Sequence, residues 1–504
     1  GNLWVGTSNG LTRIDRVTGI FKRYEHGSVS HSLGDNTILS LYRDHNGGLW
    51  VGTNAGLDFY NARNDRFVHY RNQPANTNSL SGDSILSIFE DNSGVLWVSS
   101  YSGGLNKYNR QQDRFTYYRH DPNDPNSLSG NLVFPIHVDA RGMVWIGTYG
   151  AGLNRFNPIT SRFVHYRHDP QNPNSLSSDD IYSVLSGSDG YIWVGTSRAL
   201  DRLDPATGIF KHYYPSVKND DFGLSGLPVY ALYEDSNGTL WAGTGKGLDQ
   251  FESQTDTFIH YIPNSANEDN QVVSILEDAN HHLWIGTFGG GLHRLNSRGE
   301  GFISYYNTPG QPASLSNNLV FSLFQDRQGN LWVGTGGGGL DRYLPESDSF
   351  AHYTEKSGLP SNVVYGILED DAGDLWMSTN NGLARYNRES GTFRVFTASD
   401  GLQSNEFNMG AYALSSRGEM YFGGINGVNS FRPLQIADSV YVPSVTITSI
   451  TQDGQPIETD QQIQYTRSIT LTWPQNGFEF EFAALAFGAI SHEIPGKGLL
   501  IDEK

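Results

Sequence analysis

The side chains in this chain that could meet a ligand recur at fixed places in a repeating text. Fourteen residues ahead of successive tryptophans stand Asn36, Asp83, Asn131, Asp179, Asn270, Asn318 and Asn362. Carboxamides and carboxylates in such a series could hydrogen-bond sugar hydroxyls. The competing role is turn capping, because short polar side chains also bond nearby backbone amides. Just after the tryptophans the text varies: Tyr101-Ser102-Gly103-Gly104, Tyr149-Gly150-Ala151-Gly152, Ser197-Arg198-Ala199, Gly245-Lys246-Gly247, Phe288-Gly289-Gly290-Gly291 and Gly336 to Gly339. Aromatic rings beside glycine suit stacking on a sugar ring, and Arg198 or Lys246 could meet an acidic group. The candidate ligand contacts are therefore Tyr101, Tyr149, Arg198, Lys246 and Phe288, with Asn131, Asp179, Asn270, Asn318, Asn362 and Asn405.

Other chemistries find little support. Gly334-Thr335-Gly336-Gly337-Gly338-Gly339 lacks the Lys-Ser/Thr of a phosphate-binding loop and opens a strand rather than a helix. The 15 histidines are scattered; His69, His165, His260 and His352 sit between aromatics, and His281-His282 lies on a turn without neighbouring ligands. The chain has no cysteine, hence no disulfide framework and no thiolate for metal or nucleophilic work. No catalytic residue, metal or cofactor is expected. A net charge of −19, from 34 basic and 53 acidic side chains, would repel a phosphate backbone or an anionic membrane surface, so nucleic acid is not an expected partner.

These residues are positioned by a repeat. The tryptophans recur as Trp4, Trp50, Trp97, Trp145, Trp193, Trp241, Trp284, Trp332 and Trp376, with Tyr421 in the tenth place, about every 46 residues. Each copy holds four short β-type runs, as in Ile38 to Tyr42, Leu49 to Thr53, Gly56 to Tyr60 and Arg66 to Tyr70. Such sheets cannot bury a face alone, so neighbours must stack radially as the blades of a propeller. Ten residues before each repeat aromatic stand Ser40, Ser87, Pro135, Ser183, Ala231, Ser274, Ser322, Gly366 and Ala411. Their small size places the first run innermost, with large side chains expected to collide at the axis. The Asp-x-x-Gly turns, from Asp44-Gly47 to Asp370-Gly373, read as structural. So do the tryptophans, each burying roughly 150–250 Å².

In antiparallel four-stranded blades the fourth-to-first and second-to-third connections emerge on one face, and that face carries the variable text. The fold expected is all-β. Counting back from Tyr421, seven copies fill residues 126–436, a common closure. Residues 1–125 then hold three blades of a preceding ring, the alternative being one ring of ten. Beyond Phe431-Arg432-Pro433 the period stops, and alternating runs at 443–450, 469–473 and 477–482 suggest an incomplete β-sandwich over 437–504. The pattern dissolves from Gly488 to Lys504. No run of about 18 apolar residues exists, and the opening inside a repeat reads as a cut.

The blade text from Asn318 through Gln325-Asp326-Arg327-Gln328-Gly329-Asn330-Leu331-Trp332-Val333-Gly334-Thr335 resembles the two-component regulator propeller repeat. The stretch Gly401-Leu402-Gln403-Ser404-Asn405-Glu406-Phe407-Asn408, followed by the runs after Pro443, resembles the passage into the immunoglobulin-like YYY domain. The resemblance covers Gly1 to about Phe487. It implies the periplasmic part of an inner-membrane sensor: two seven-bladed propellers, a YYY sandwich able to self-associate as a homodimer, a membrane helix further along, then a histidine kinase or diguanylate cyclase. The implied ligand is a glycan or oligosaccharide. A polysaccharide lyase or hydrolase propeller and a protein-docking scaffold are the alternatives.

Overall fold

Apolar runs such as Leu331–Thr335 are bounded by Asp- and Gly-bearing turns, so their backbone groups are satisfied by pairing with the next run along the chain. The computed structural model describes residues 2–27, 31–62, 65–74, 79–92, 94–109, 114–216, 222–263, 270–296, 301–436, 445–452, 454–457, 462–463 and 477–484. Nearly all the described strands form antiparallel sheets with their neighbours in sequence, giving an all-β propeller. The chain divides into two compact units, Arg114–Ala437 and Gly1–Asp113 with Asp438–Lys504.

Arg114–Ala437 holds seven four-stranded sheets. Their first strands are Val133–Val138, Ile181–Ser186, Val229–Glu234, Val272–Glu277, Val320–Gln325, Val364–Glu369 and Phe407–Leu414. Each touches the next, and Phe407–Leu414 touches Val133–Val138, so the series closes on itself. The seventh sheet takes its outer strand from the start of the unit: Thr116–Tyr118 pairs antiparallel with Gly427–Phe431. Sequence reading groups Phe115 and Tyr118 with the first three repeats. In the structure they close the ring instead, Thr116–Tyr118 taking the outermost place of the last sheet.

The tryptophans are packing residues. Trp145, Trp284, Trp332 and Trp376 are at most 2 % exposed, and each sits in the apolar cluster of the following sheet. Tyr421 does the same across the closure, against Leu128 and Val133. The turn aspartates orient them: Asp235 accepts the Trp241 indole N–H at 2.9 Å and the amides of Asn237 and Thr239, and Asp139, Asp278, Asp326 and Asp370 repeat the indole bond. Four outer strands are tied by buried aspartates. Asp58, Asp201, Asp249 and Asp341 bond His69, His212, His260 and His352 at 2.6–2.8 Å, and each carboxylate also accepts a backbone amide of the connection entering its sheet.

The small residues of the first strands are small for a different reason from the one the sequence suggests. Ser183 lies between sheets, its hydroxyl bonded to the Val229 carbonyl of the next first strand at 3.0 Å. A Cβ on Gly195, paired with Ser183 in the same sheet, would strike that hydroxyl and also the Val229 carbonyl of the next sheet. Close sheet-to-sheet approach, rather than crowding at the axis, sets the limit. The axis receives the residue just before the small one, as described below.

In the other unit, Ile38–Arg43, Leu49–Thr53, Gly56–Asn61 and Arg66–Tyr70 form a four-stranded sheet, while Asn2 to Tyr24 and Ile85 to Asn109 form three-stranded ones. Val445–Gln452 pairs with Gln455–Pro456 on one side and Phe478–Ala484 on the other. The run expected at 469–473 and the tail from Gly488 lie outside the described residues.

Candidate functional site

The ring of Arg114–Ala437 gathers most of the sequence candidates on one face. Tyr149, Arg198, Lys246 and Phe288 stand on the second-to-third loops of the first four sheets, all exposed, with Tyr149 at 47 % and Phe288 at 45 %. Each loop is anchored to its own first strand's entry: Tyr149 N–H donates to the Leu132 carbonyl, Gly245 N–H to Pro228 and Phe288 N–H to Gln271, at 2.9–3.0 Å. The fifth, sixth and seventh loops complete the circuit with Gly336 to Gly339, Asn380-Asn381 and Ile425-Asn426. Tyr101 belongs to the other unit, where it is 79 % exposed on the loop after Val95–Ser100.

The Asn/Asp series acts as a set of loop clips. Side-chain oxygens of Asn131, Asp179, Asn318, Asn362 and Asn405 accept the backbone N–H of His120, His168, Asn307, Glu355 and Ala398 at 2.6–3.0 Å. Their own carbonyls accept N–H groups from the preceding sheet, including Gly152 to Asp179 at 3.0 Å and Gly339 to Asn362 at 2.8 Å. Those glycines have φ of 81° and 89°, and a Cβ there would strike the backbone carbonyls of Tyr166 and Tyr353. Asn270 is buried at 8 % exposure. One oxygen of each of the five is thus committed to holding loops, which leaves their remaining polar atoms for any contact at the mouth.

The structure adds residues that the sequence reading did not single out. In the first six inner strands the register slips by one residue, a β-bulge, as between Ile181 and Ser183 against Thr196 and Gly195. A bulge re-aims a side chain. The residues at the slip are Phe134, Tyr182, Tyr230, Val273, Phe321 and Tyr365. Their rings meet from sheet to sheet: Phe134–Tyr182 centroids lie 6.1 Å apart, Tyr182–Tyr230 5.3 Å, and Phe321–Tyr365 5.6 Å with planes 15° apart. Tyr149 contacts Phe134 and Tyr182 at 6.1 and 6.2 Å, and Phe288 contacts Phe321 at 5.8 Å. Two aromatic arcs therefore line the hub mouth. Burial, with Tyr149, Tyr230 and Asp180 nearby, pushes the Tyr182 hydroxyl up to about 12, so it stays a neutral phenol. The signal was an aromatic eleven residues before the repeat tryptophan in five copies. Because a bulge breaks the period-2 alternation, strand phase alone sends these residues to the wrong side.

The seventh inner strand differs. Its register shift spans Phe407 to Tyr412, so Asn408 to Ala411 leave the ladder. Asn408 Nδ2 donates to the Val133 carbonyl at 2.8 Å, and a Cβ on Gly410 would lie within 4.0 Å of the carbonyls of Phe134 and Tyr182. The segment therefore reaches into the hub at the height of the aromatic arcs. Both signs of charge stand on this face, Arg198 and Lys246 with Asp180 and Glu406, the last close enough to Tyr365 to act on its hydroxyl. On the opposite face a cavity is lined by Glu369, Asp371, Leu414, Arg417, Arg432 and Leu434. Asp371 there pairs with Arg327 and Glu369 with Arg388, so its acids are already engaged. Among the described residues no group of three or more His, Asp or Glu could hold a metal ion, and no helix is long and apolar enough to cross a membrane.

Comparison with known proteins agrees with this architecture. The family described as Two component regulator propeller matches residues 32–55, 79–102, 175–198, 223–246, 268–289, 314–337 and 358–381. Histidine kinase P4 of Formosa agariphila is 35 % identical over 136 residues, 26 % of this chain and 10 % of that protein. Among solved structures, the extracellular domain assigned to hybrid two component system BT3049 of B. thetaiotaomicron superposes with a TM-score of 0.66 at 25 % identity, covering 96 % of this chain and 68 % of that one. The corresponding domain of BT4673 gives 0.53 at 22 % identity, over 96 % and 64 %, a likeness of fold. The chain spans a tenth of the kinase it matches and about two thirds of these solved domains. The chain thus carries seven segments, spaced on the tryptophan period, that match the two-component regulator propeller repeat.

Proposed function

We propose that this chain is the extracytoplasmic ligand-sensing region of a bacterial transmembrane signalling protein, a histidine kinase, hybrid two-component sensor or diguanylate cyclase. Its ligand is a glycan or oligosaccharide, bound at the hub mouth of Arg114–Ala437 by Tyr149, Arg198, Lys246 and Phe288. The observation that carries this reading is the convergence of four chemically different, exposed side chains on one face of a closed ring of sheets. A scaffold with fixed cores and variable loops separates folding from recognition. The likeness to the extracellular domain of a hybrid two-component system supports the signalling role and a location outside the cytoplasm. A YYY-type sandwich after residue 437, a homodimer through it and a membrane helix further along belong to the same proposal.

Calorimetry with a panel of oligosaccharides tests it. Alanine at each of the four positions should weaken binding about tenfold, as expected for one lost stacking or charge-assisted contact. Undiminished affinity in all four variants would refute the placement, and turnover of a polysaccharide by the purified chain would move the reading to an enzyme.

A further inference from the structure

The bulge residues of the inner strands are the least expected feature of the ring. A packed hub needs no tyrosine, and the small residues beside them already satisfy sheet-to-sheet approach. Yet Phe134, Tyr182, Tyr230, Phe321 and Tyr365 all place a ring at the same height, each only half-buried, whereas rings in the cores, such as Trp376 and Phe407, are sealed at 0 %. Gly336 gives way to one of them: a Cβ there would lie 2.6 Å from the Phe321 ring. At the height of the rings, Asn408 to Ala411 leave their ladder and reach into the hub, which closes the bore there and makes the mouth a cup.

We infer that this cup, walled by Phe134, Tyr182, Tyr230, Phe321 and Tyr365, is the surface on which an uncharged pyranose or furanose ring of an oligosaccharide stacks. The inference rests on the sensor reading for its ligand class, and adds the cup's wall and the neutrality of the sugar seated in it. A saturated sugar ring offers C–H faces, which pack on aromatic faces, and a rim of hydroxyls that seek planar polar groups. The rim here supplies them in Gln271, Asn380 and Asn381. Charge argues for a neutral ring. Arg198 and Lys246 share this face with the acids Asp179, Asp180 and Glu406, so the face holds no excess of positive charge among these residues. An anionic sugar would gain little net attraction from such a set, and the −19 charge of the chain opposes its approach.

Titration calorimetry on the whole chain, with neutral tetrasaccharides of glucose, mannose, xylose and arabinose and with tetragalacturonate, tests the inference. At least one neutral sugar should bind. Tyr182→Ser should weaken that binding about tenfold and Tyr182→Ser with Tyr230→Ser about a hundredfold, while Tyr182→Phe with Tyr230→Phe retains most of it, the ring face being what matters. The phenylalanine pair also separates lost stacking from lost folding. Neutral-sugar binding indifferent to the serine pair overturns the cup while the sensor reading stands. Binding of tetragalacturonate alone overturns the neutral ligand, and binding of no sugar overturns both the cup and the glycan reading.

Discussion

At the scale of single residues, much of the ring's stability rests on acids that sequence alone assigns to turns. Asp235 accepts one indole and two backbone N–H groups, so Asp235→Ala strands three donors and should cost about 2–3 kcal/mol in urea unfolding, with Asp235→Asn retaining part of it. The histidines set a pH profile. His212 and His352 are held above the ordinary histidine value by their hydrogen bonds to Asp201 and Asp341. A proton bound more tightly by the folded chain stabilises it; this contribution is complete below about pH 6.5 and vanishes as pH rises through the raised pKa. His137 and His293 are pushed down to about 4 by burial. The unfolded chain protonates them first, so stability is lost as pH falls from about 6.5 towards 4. Calorimetric melting should therefore peak near pH 6.5, with His352→Gln flattening the alkaline limb and His137→Gln the acid one. A limb unaltered by its own variant would show the wrong group had been chosen.

At the scale of the strand and loop, the four-run repeat was legible because the runs are short, the turns carry Asp and Gly, and Trp50 through Trp376 keep phase. The loop candidates Tyr149, Arg198, Lys246 and Phe288 were legible too, since antiparallel order alone fixes which connections share a face. Two things were not. Ser183 was small for contact with a neighbouring sheet, which a one-dimensional period cannot distinguish from crowding at an axis. Tyr182 and its equivalents were hidden by the bulge, since one extra residue reverses the side predicted for everything before it. The partners of His212 and His352 lie eleven residues away on the adjacent strand, a spacing visible only once the register is known. Close sheet approach has its own test. A Cβ on Gly243 would lie 2.6 Å from the Val272 carbonyl of the next sheet, a backbone atom that cannot swing aside. Gly243→Ala should lower stability by about 1–3 kcal/mol in denaturant titration. An unchanged midpoint would mean the sheets can move apart there freely.

At the scale of the whole unit, closure depends on three residues at one end of the chain segment. Thr116–Tyr118 pairs with Gly427–Phe431, and Phe115 packs against Phe396 and Phe431 at 5.5 and 4.9 Å. A chain cut to residues 114–436 should therefore melt as one cooperative transition. A chain cut to 126–436, the boundary suggested by sequence, should expose the Gly427–Phe431 edge and melt earlier and more broadly. Equal melting of the two would show that the outer strand is dispensable.

That same pairing has a bearing on how the protein is made. Tyr117 and Asn426, joined by a 2.7 Å hydrogen bond, are 309 residues apart. At bacterial synthesis rates about 15–60 s separate their emergence from the ribosome. Throughout that interval the early strand has no mate and the growing row of sheets has an open side, so the arrival of Gly427–Phe431 decides whether a half-built circle locks or sticks to its neighbours.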